Sequence, residues 1–202
     1  MNREDGQKIL DFIHSTEKLK TLTRHSWLSD GQQETVAEHT WRMALMAMVI
    51  APYLDREVNL LKTIKLILVH DLVEVNYKDN PAHKKQPADK TEQESKSLKK
   101  LTKDLPLSLK KEINELWREY ESAKTLEAKF AKTMDKTEVL LQHNEADIKH
   151  MHVKEIPLNF YYGKEFGEHD SFLRLFRELI DQETLQHYEK HKIDKKLYKD
   201  YI

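Results

Sequence analysis

The spacing of the apolar residues constrains this chain more than any other feature. They recur at intervals of three and four along nearly its whole length, the period of one face of an α-helix. Ile9, Leu10, Ile13 and Leu19 predict a first helix over about residues 4–20. A polar stretch, Ser29 to Glu34, precedes a second helix from near Thr35 to about Pro52, whose Met43, Ala44, Ala47, Met48 and Ile50 suit a central position. The run Leu60 to Val69 predicts a third over roughly 57–76, stopped by the turn at Asp79-Asn80-Pro81, since a proline ring disfavours helix at the residue before it. Ile113, Leu116 and Trp117 mark a helix ending near 120–122, and another is expected from about Thr125 to His150. From residue 171, Phe172, Leu173, Leu175, Phe176, Leu179 and Ile180 predict an amphipathic packing helix. Only four glycines and five prolines occur in 202 residues, which leaves little turn chemistry for a multi-stranded sheet. The expected architecture is all-α. No internal repeat or linker divides the chain, so one domain is expected over 1–202, with its core over about 8–180.

Composition narrows the partners. With 34 basic and 35 acidic residues the net charge is −1, giving no push toward polymeric nucleic acid or an anionic membrane. The absence of cysteine excludes disulfides, thiolate nucleophiles and cysteine-type zinc sites. No apolar run is long enough to span a bilayer, and Met1 to Gly6 lacks the apolar stretch of a signal peptide, so a soluble cytoplasmic protein is expected. Neither G-x-x-x-x-G-K nor G-x-G-x-x-G is present, which argues against a glycine-rich phosphate loop. Residues 78–111 hold ten lysines against five acids, an excess that a solvated helix face explains better than a substrate-steering patch.

The third helix closes on His70-Asp71. An imidazole and a carboxylate at the end of a buried helix are costly unless something pairs with them. A divalent cation such as Mn, Co, Fe, Ni or Zn suits that pair of donors. His39 and Asp135 are further candidate ligands, so three helices could bring His39, His70, Asp71 and Asp135 to one ion. Glu74 lies one helical turn beyond His70, and Asp79 follows in the loop, both at the rim of such a site. Four ligands of mixed nitrogen and oxygen type leave a six-coordinate ion room for water or a substrate oxygen, the mark of a catalytic centre.

The pattern His39 … His70-Asp71 … Asp135 resembles the HD-domain metal-dependent phosphohydrolases. Further segments resemble their 5′-deoxynucleotidase branch: Arg24-His25-Ser26-Trp27, Val36 to Ala44, Val69 to Glu74 with Asp79, Leu116 to Glu121, Thr125 to Ala128, and Asp135 to Glu138. The resemblance runs from about residue 8 to 145, with a weaker helical continuation to about 180. Signatures of other HD branches are missing: the downstream Gly-His segment of dNTP triphosphohydrolases, the Gly-Tyr-Pro of cyclic-dinucleotide phosphodiesterases, and the extra histidines of di-iron oxygenases around the dyad.

The resemblance implies an HD helical bundle with a metal at its centre, held by His39, His70, Asp71 and Asp135. The cation, one of Mn, Co, Ni, Mg, Fe or Zn, would polarise the phosphate and lower the pKa of bound water. Glu74 would orient or deprotonate that water. Asp79 would assist the leaving 5′ oxygen, or join Glu74 in holding a second ion. Arg24 would contact phosphate or sugar, and Trp27 would pack on the deoxyribose and leave no space for a 2′ hydroxyl. The implied activity is removal of phosphate from deoxyribonucleoside 5′-monophosphates by a homodimer acting on a small nucleotide. A triphosphohydrolase or pyrophosphohydrolase on the same metal, or a nucleotide-binding regulator without turnover, are the alternatives.

Each of these residues has a plainer explanation as well. Glu74 can form a surface salt bridge, Asp79 can simply end a helix, and Arg24 with Trp27 can make a cation–π contact. His143, His150 and His152 fall near a helix end, where an imidazolium suits the dipole. His25, His83, His169, His187 and His191 show no ligand spacing. Lys84 and Lys85 follow Asp79 and could draw a phosphate, though a solvated loop accounts for them equally.

Overall fold

The computed structural model describes residues 2–77, 83–84 and 87–202. Asp79 and Lys85 lie outside the described residues. The chain starts with α1 (Arg3–Thr16), capped by Asn2, whose side chain accepts from the backbone N–H of Asp5, and continued by a 3-10 turn over Glu17–Lys20. Strands β1 (Thr23–Trp27) and β2 (Gln33–Thr35) then form an antiparallel hairpin with Thr23 opposite Thr35 and Trp27 opposite Gln33. The chain reverses at Gly31, whose φ of 87° suits a residue without a Cβ. This small hairpin was not expected from the helical spacing. It lies where the polar connection interrupts that spacing.

Thr35 ends β2 and opens α2 (Val36–Ile50) with a capping box shared with Glu38, which satisfies two otherwise orphaned N–H groups. Asn59 caps α3 (Leu60–His70) with a single bond, its side chain accepting from the Lys62 N–H. The third helix is shorter than the apolar spacing suggests. It stops at His70, because Asp71 (φ −99°, ψ 9°) leaves the α region and Leu72–Val75 tighten into a 3-10 turn. Apolar Leu72, Val73 and Val75 are all buried in that turn, so burial continued beyond the α-helix and masked its end in the sequence.

Next come α4 (Lys90–Leu101), α5 (Leu107–Ser122) and α6 (Leu126–Glu145). Helix α4 turns Ser97 and Leu98 inward and leaves Lys96, Lys99 and Lys100 exposed. Helix α6 stops at Glu145, short of the expected His150, which instead ends a separate 3-10 turn over Ile148–His150. Two four-residue helices, α7 (Glu155–Leu158) and α8 (Lys164–Gly167), lead to α9 (Ser171–Lys190), capped by Asp170. Apart from the hairpin, the described residues form an all-α fold, and none of their helices is long and apolar enough to cross a membrane.

Helix α6 is the axis of the packing and touches α2, α3, α5, α8 and α9. Met43, Met46, Ala47 and Ile50 of α2, Leu66 and Ile67 of α3, and Phe130, Ala131 and Met134 of α6 form the main core. A second cluster of Val69, Leu72, Val73, Leu98 and Trp117 anchors the turn after the His-Asp dyad onto α4 and α5. These two clusters place the C-terminal end of α3 in the interior, beside the middle of α6 and the first turns of α2.

Candidate metal centre

Three buried side chains from three helices meet there. His39 comes from α2, His70 from the last position of α3, and Asp135 from the middle of α6. One donor atom from each lies within 4.8 Å of the others. His39 Nε2 is 3.4 Å from Asp135 Oδ1, and the two imidazole centroids are 5.7 Å apart. Asp71 joins through His70, with its Oδ2 at 3.0 Å from His70 Nε2. Of the four candidate ligands predicted from the sequence, the structure groups His39, His70 and Asp135 and places Asp71 against His70.

The groups behind these ligands decide which atoms point inward. His70 Nδ1 lies 2.6 Å from the carbonyl oxygen of Ile67, which can only accept, so the proton sits on Nδ1. His39 Nδ1 donates to Glu138 Oε2 at 2.5 Å. Both Nε2 atoms are buried and have no hydrogen-bond partner among the described residues. Two imidazole nitrogens that face carboxylates without an aligned hydrogen bond are costly as they stand and suit a cation placed between them. On the far side of Asp135, Oδ2 accepts from Tyr120 Oη at 2.8 Å and from Lys136 Nζ at 2.7 Å, leaving Oδ1 on the histidine side.

The electrostatics support the same reading. Burial pushes the Asp135 carboxyl up, but Lys136, His39 and His70 outweigh it and hold the group well below the usual range. Burial likewise opposes ionisation of Asp71, and His70 and Arg24 outweigh it, again holding the carboxyl low. Burial and Arg24 push His39 down, yet Glu138 and Asp135 raise it to about 9. The carboxylates thus favour a positive charge at His39, carried by a proton on the ring or by a divalent ion in its place.

The remaining predicted site residues fall as follows. Arg24 on β1 ion-pairs with Asp71 Oδ2 (Nη1, 3.2 Å) and with Glu34 Oε2 (Nε, 3.2 Å). Trp27, three residues on, stacks on His150 with centroids 4.0 Å apart and planes 14° apart, and its carbonyl accepts from Gln142 at 2.7 Å. Glu74 is buried in the 3-10 turn after the dyad, its backbone N–H donating to the Asp71 carbonyl, and its charge favours the charged form of Arg24. That turn is not α-helical, so the one-turn relation of Glu74 to His70 expected for a continuous helix is replaced by a tighter one.

Two supporting residues escaped the sequence reading. Glu138 is fully buried behind His39, and its signal was present: it lies three residues after Asp135, on the same face of α6. Glu34 on β2 completes a second group of donor atoms with His39 and Glu138, and nothing in its local sequence marks it. Burial and the Glu138 carboxylate raise Glu34 to about 7. His143, set aside as a helix-end histidine, is in fact buried and bonds Asn159 at 2.7 Å, while His25 and His83 converge on Glu155.

Comparison with known proteins agrees with this geometry. The sequence model of the HD domain matches residues 16–173. The chain is 36% identical over 180 residues to human 5′-deoxynucleotidase HDDC2, covering 86% of this chain and 85% of that protein. It is 34% identical over 171 residues to the 5′-deoxynucleotidase hdd1 of Schizosaccharomyces pombe, covering 81% and 85%. Among solved structures, a predicted metal-dependent phosphohydrolase from Magnetospirillum magnetotacticum superposes with a TM-score of 0.77 at 28% identity, covering 91% of this chain and 94% of that one. With the HD-domain model matching residues 16–173 and relatives of this kind along most of its length, the chain belongs to the HD domain family, in its 5′-deoxynucleotidase branch.

Proposed function

We propose that this protein is a metal-dependent phosphomonoesterase that hydrolyses deoxyribonucleoside 5′-monophosphates to deoxynucleoside and phosphate. The observation that carries the reading is the pair of buried, unpartnered Nε2 atoms of His39 and His70, each with its Nδ1 proton committed elsewhere and two carboxylates opposite. His39, His70, Asp71 and Asp135 would hold the divalent ion. When bound, that ion supplies Lewis-acid polarisation of the phosphate and a nucleophile at neutral pH.

The chain's own residues perform the rest. Water adds to phosphorus and the P–O5′ bond breaks, so one proton must leave the water and one must reach the 5′ oxygen. Glu74 takes the first role and Asp79 the second. Arg24 and Lys136, both held in their charged forms by neighbouring carboxylates, set a positive potential for the phosphate dianion. Trp27 lies on the same strand as Arg24 and would cover the deoxyribose. The whole chain acts as one domain, as a homodimer in the cytoplasm, on a small nucleotide.

The test is phosphate release from a panel of deoxy- and ribonucleoside mono- and triphosphates, with Mn, Co, Ni, Mg, Fe or Zn added to metal-stripped enzyme. Orthophosphate from deoxynucleoside monophosphates is expected, lost together with bound metal in Asp135→Ala. Release of pyrophosphate or tripolyphosphate from triphosphates alone would overturn the assignment.

A further inference from the structure

A further group of metal-type donors, sharing no residue with the two groups around His39, includes a residue of β1. His25 of β1, His83, and Glu155 at the start of α7 are far apart in sequence, yet one donor atom from each lies within 4.8 Å of the others. His25 Nε2 is 3.0 Å and His83 Nδ1 is 2.9 Å from the same carboxylate oxygen, Glu155 Oε1. The other oxygen, Oε2, accepts from the backbone N–H of His152 at 2.8 Å, which turns Oε1 toward the two histidines. The ring of His152 stacks flat on His83, with centroids 4.4 Å apart and planes 4° apart, and His25 meets His83 edge-on at 4.9 Å.

This cluster is built rather than incidental. Glu155 is 3% exposed and the His83 side chain 5%. The His25 side chain is 37% exposed and gives the cluster one open side, while its Nε2 atom is buried and makes no well-aligned hydrogen bond despite its nearness to Glu155. Two imidazole nitrogens converging on one carboxylate oxygen, with one of them unsatisfied, is a poor hydrogen-bond arrangement and a good ligand set. Burial pushes the Glu155 carboxyl up, but the nearby His25 ring and the N–H of His152 hold it at about 2, so it is ionised and able to coordinate.

We propose that His25, His83 and Glu155 form a second cation site, separate from the HD centre, that takes a divalent transition metal. Two imidazoles and one carboxylate are the donor set of zinc sites with an open fourth position, and His25 places that position toward solvent. The ion ties β1, the segment holding His83, and α7 together. Because β1 also carries Arg24 and Trp27, the site fixes the strand that presents them. The inference does not rest on the nucleotidase reading, since it concerns binding of the metal alone.

The test uses the full-length protein stripped with chelator and titrated with zinc, with bound metal read by elemental analysis after gel filtration. Wild type should saturate at about two ions per chain, and His25→Ala and His83→Ala at about one, with folding checked by circular dichroism. In wild type the second equivalent should also raise the thermal midpoint, and neither variant should show that second rise. Anomalous diffraction from zinc-soaked wild-type crystals provides a check that does not depend on variants folding: a peak is expected between His25, His83 and Glu155. Saturation of wild type at one ion, retention of both ions by the variants, or an anomalous peak at the HD centre without one here would each overturn the proposal.

Discussion

Replacing Glu138 by glutamine tests how far the residues behind the ligands, and not the ligands alone, make the metal centre. Glu138 is fully buried, and its Oε2 accepts a hydrogen bond from His39 Nδ1, which leaves Nε2 facing the centre. Glutamine keeps the shape and can still accept that hydrogen bond through its amide oxygen, so the variant removes a charge and little else. Loss of a group behind a metal-bound histidine typically costs about 10–100-fold in affinity, or about 1.4–2.7 kcal/mol. Glu34 moderates the effect here. Burial and the Glu138 carboxylate raise it to about 7, so part of its population is neutral near neutral pH. With the Glu138 charge gone, Glu34 ionises more readily and returns some negative charge beside His39. Glu138→Gln alone should therefore lie near the lower end, about tenfold weaker metal binding, and the double variant Glu34→Gln/Glu138→Gln near the upper end, about a hundredfold. Isothermal titration of metal-stripped protein with Mn2+ measures both, with circular dichroism to confirm that the fold is kept. Wild-type affinity in the single variant, together with no further loss in the double, would show that these two carboxylates do not tune the centre.

Trp27→Ala should raise kcat/KM for AMP relative to dAMP, whereas the unmodified enzyme should prefer dAMP by about 10–100-fold, the scale of one hydroxyl left without a partner. Equal use of the two substrates by the unmodified enzyme would remove the sugar-selecting role. Gly163→Ala should lower stability by about 2–3 kcal/mol in urea unfolding, because the new Cβ would stand 2.2 Å from the Cβ of Lys136 at a φ of 68°; an unchanged midpoint would contradict that crowding. Burial holds His143 below the ordinary histidine value of 6.5, so unfolded chains take up a proton there that the folded chain refuses. Its contribution to stability is whole above pH 6.5 and declines as pH falls below it. The fall in urea midpoint from about pH 7.5 to about pH 5.5 should be smaller in His143→Gln, and an equal fall would assign the dependence to other groups.

The ladder of helices was legible along the chain because burial of one helical face demands apolar residues every third or fourth position, and α2, α6 and α9 carry that pattern. The four candidate ligands were legible too, since His39, His70-Asp71 and Asp135 are residue types that suit a cation. Glu138 was within reach, on the same face of α6 as Asp135. The end of α3 was not legible: Leu72, Val73 and Val75 stay buried through a 3-10 turn, and apolar spacing reports burial, not which hydrogen-bond ladder the backbone adopts.

What only the tertiary structure decided is which distant side chains share a space. Arg24 is tied to Asp71 and Glu34 because the hairpin folds back beside the end of α3, and no local pattern encodes that approach. His25, His83 and Glu155 have no spacing that could announce a ligand set. They form one candidate set because His25 of β1 and His83 both reach Glu155 of α7, and coordination depends on distances in space that the order of residues along a chain does not contain.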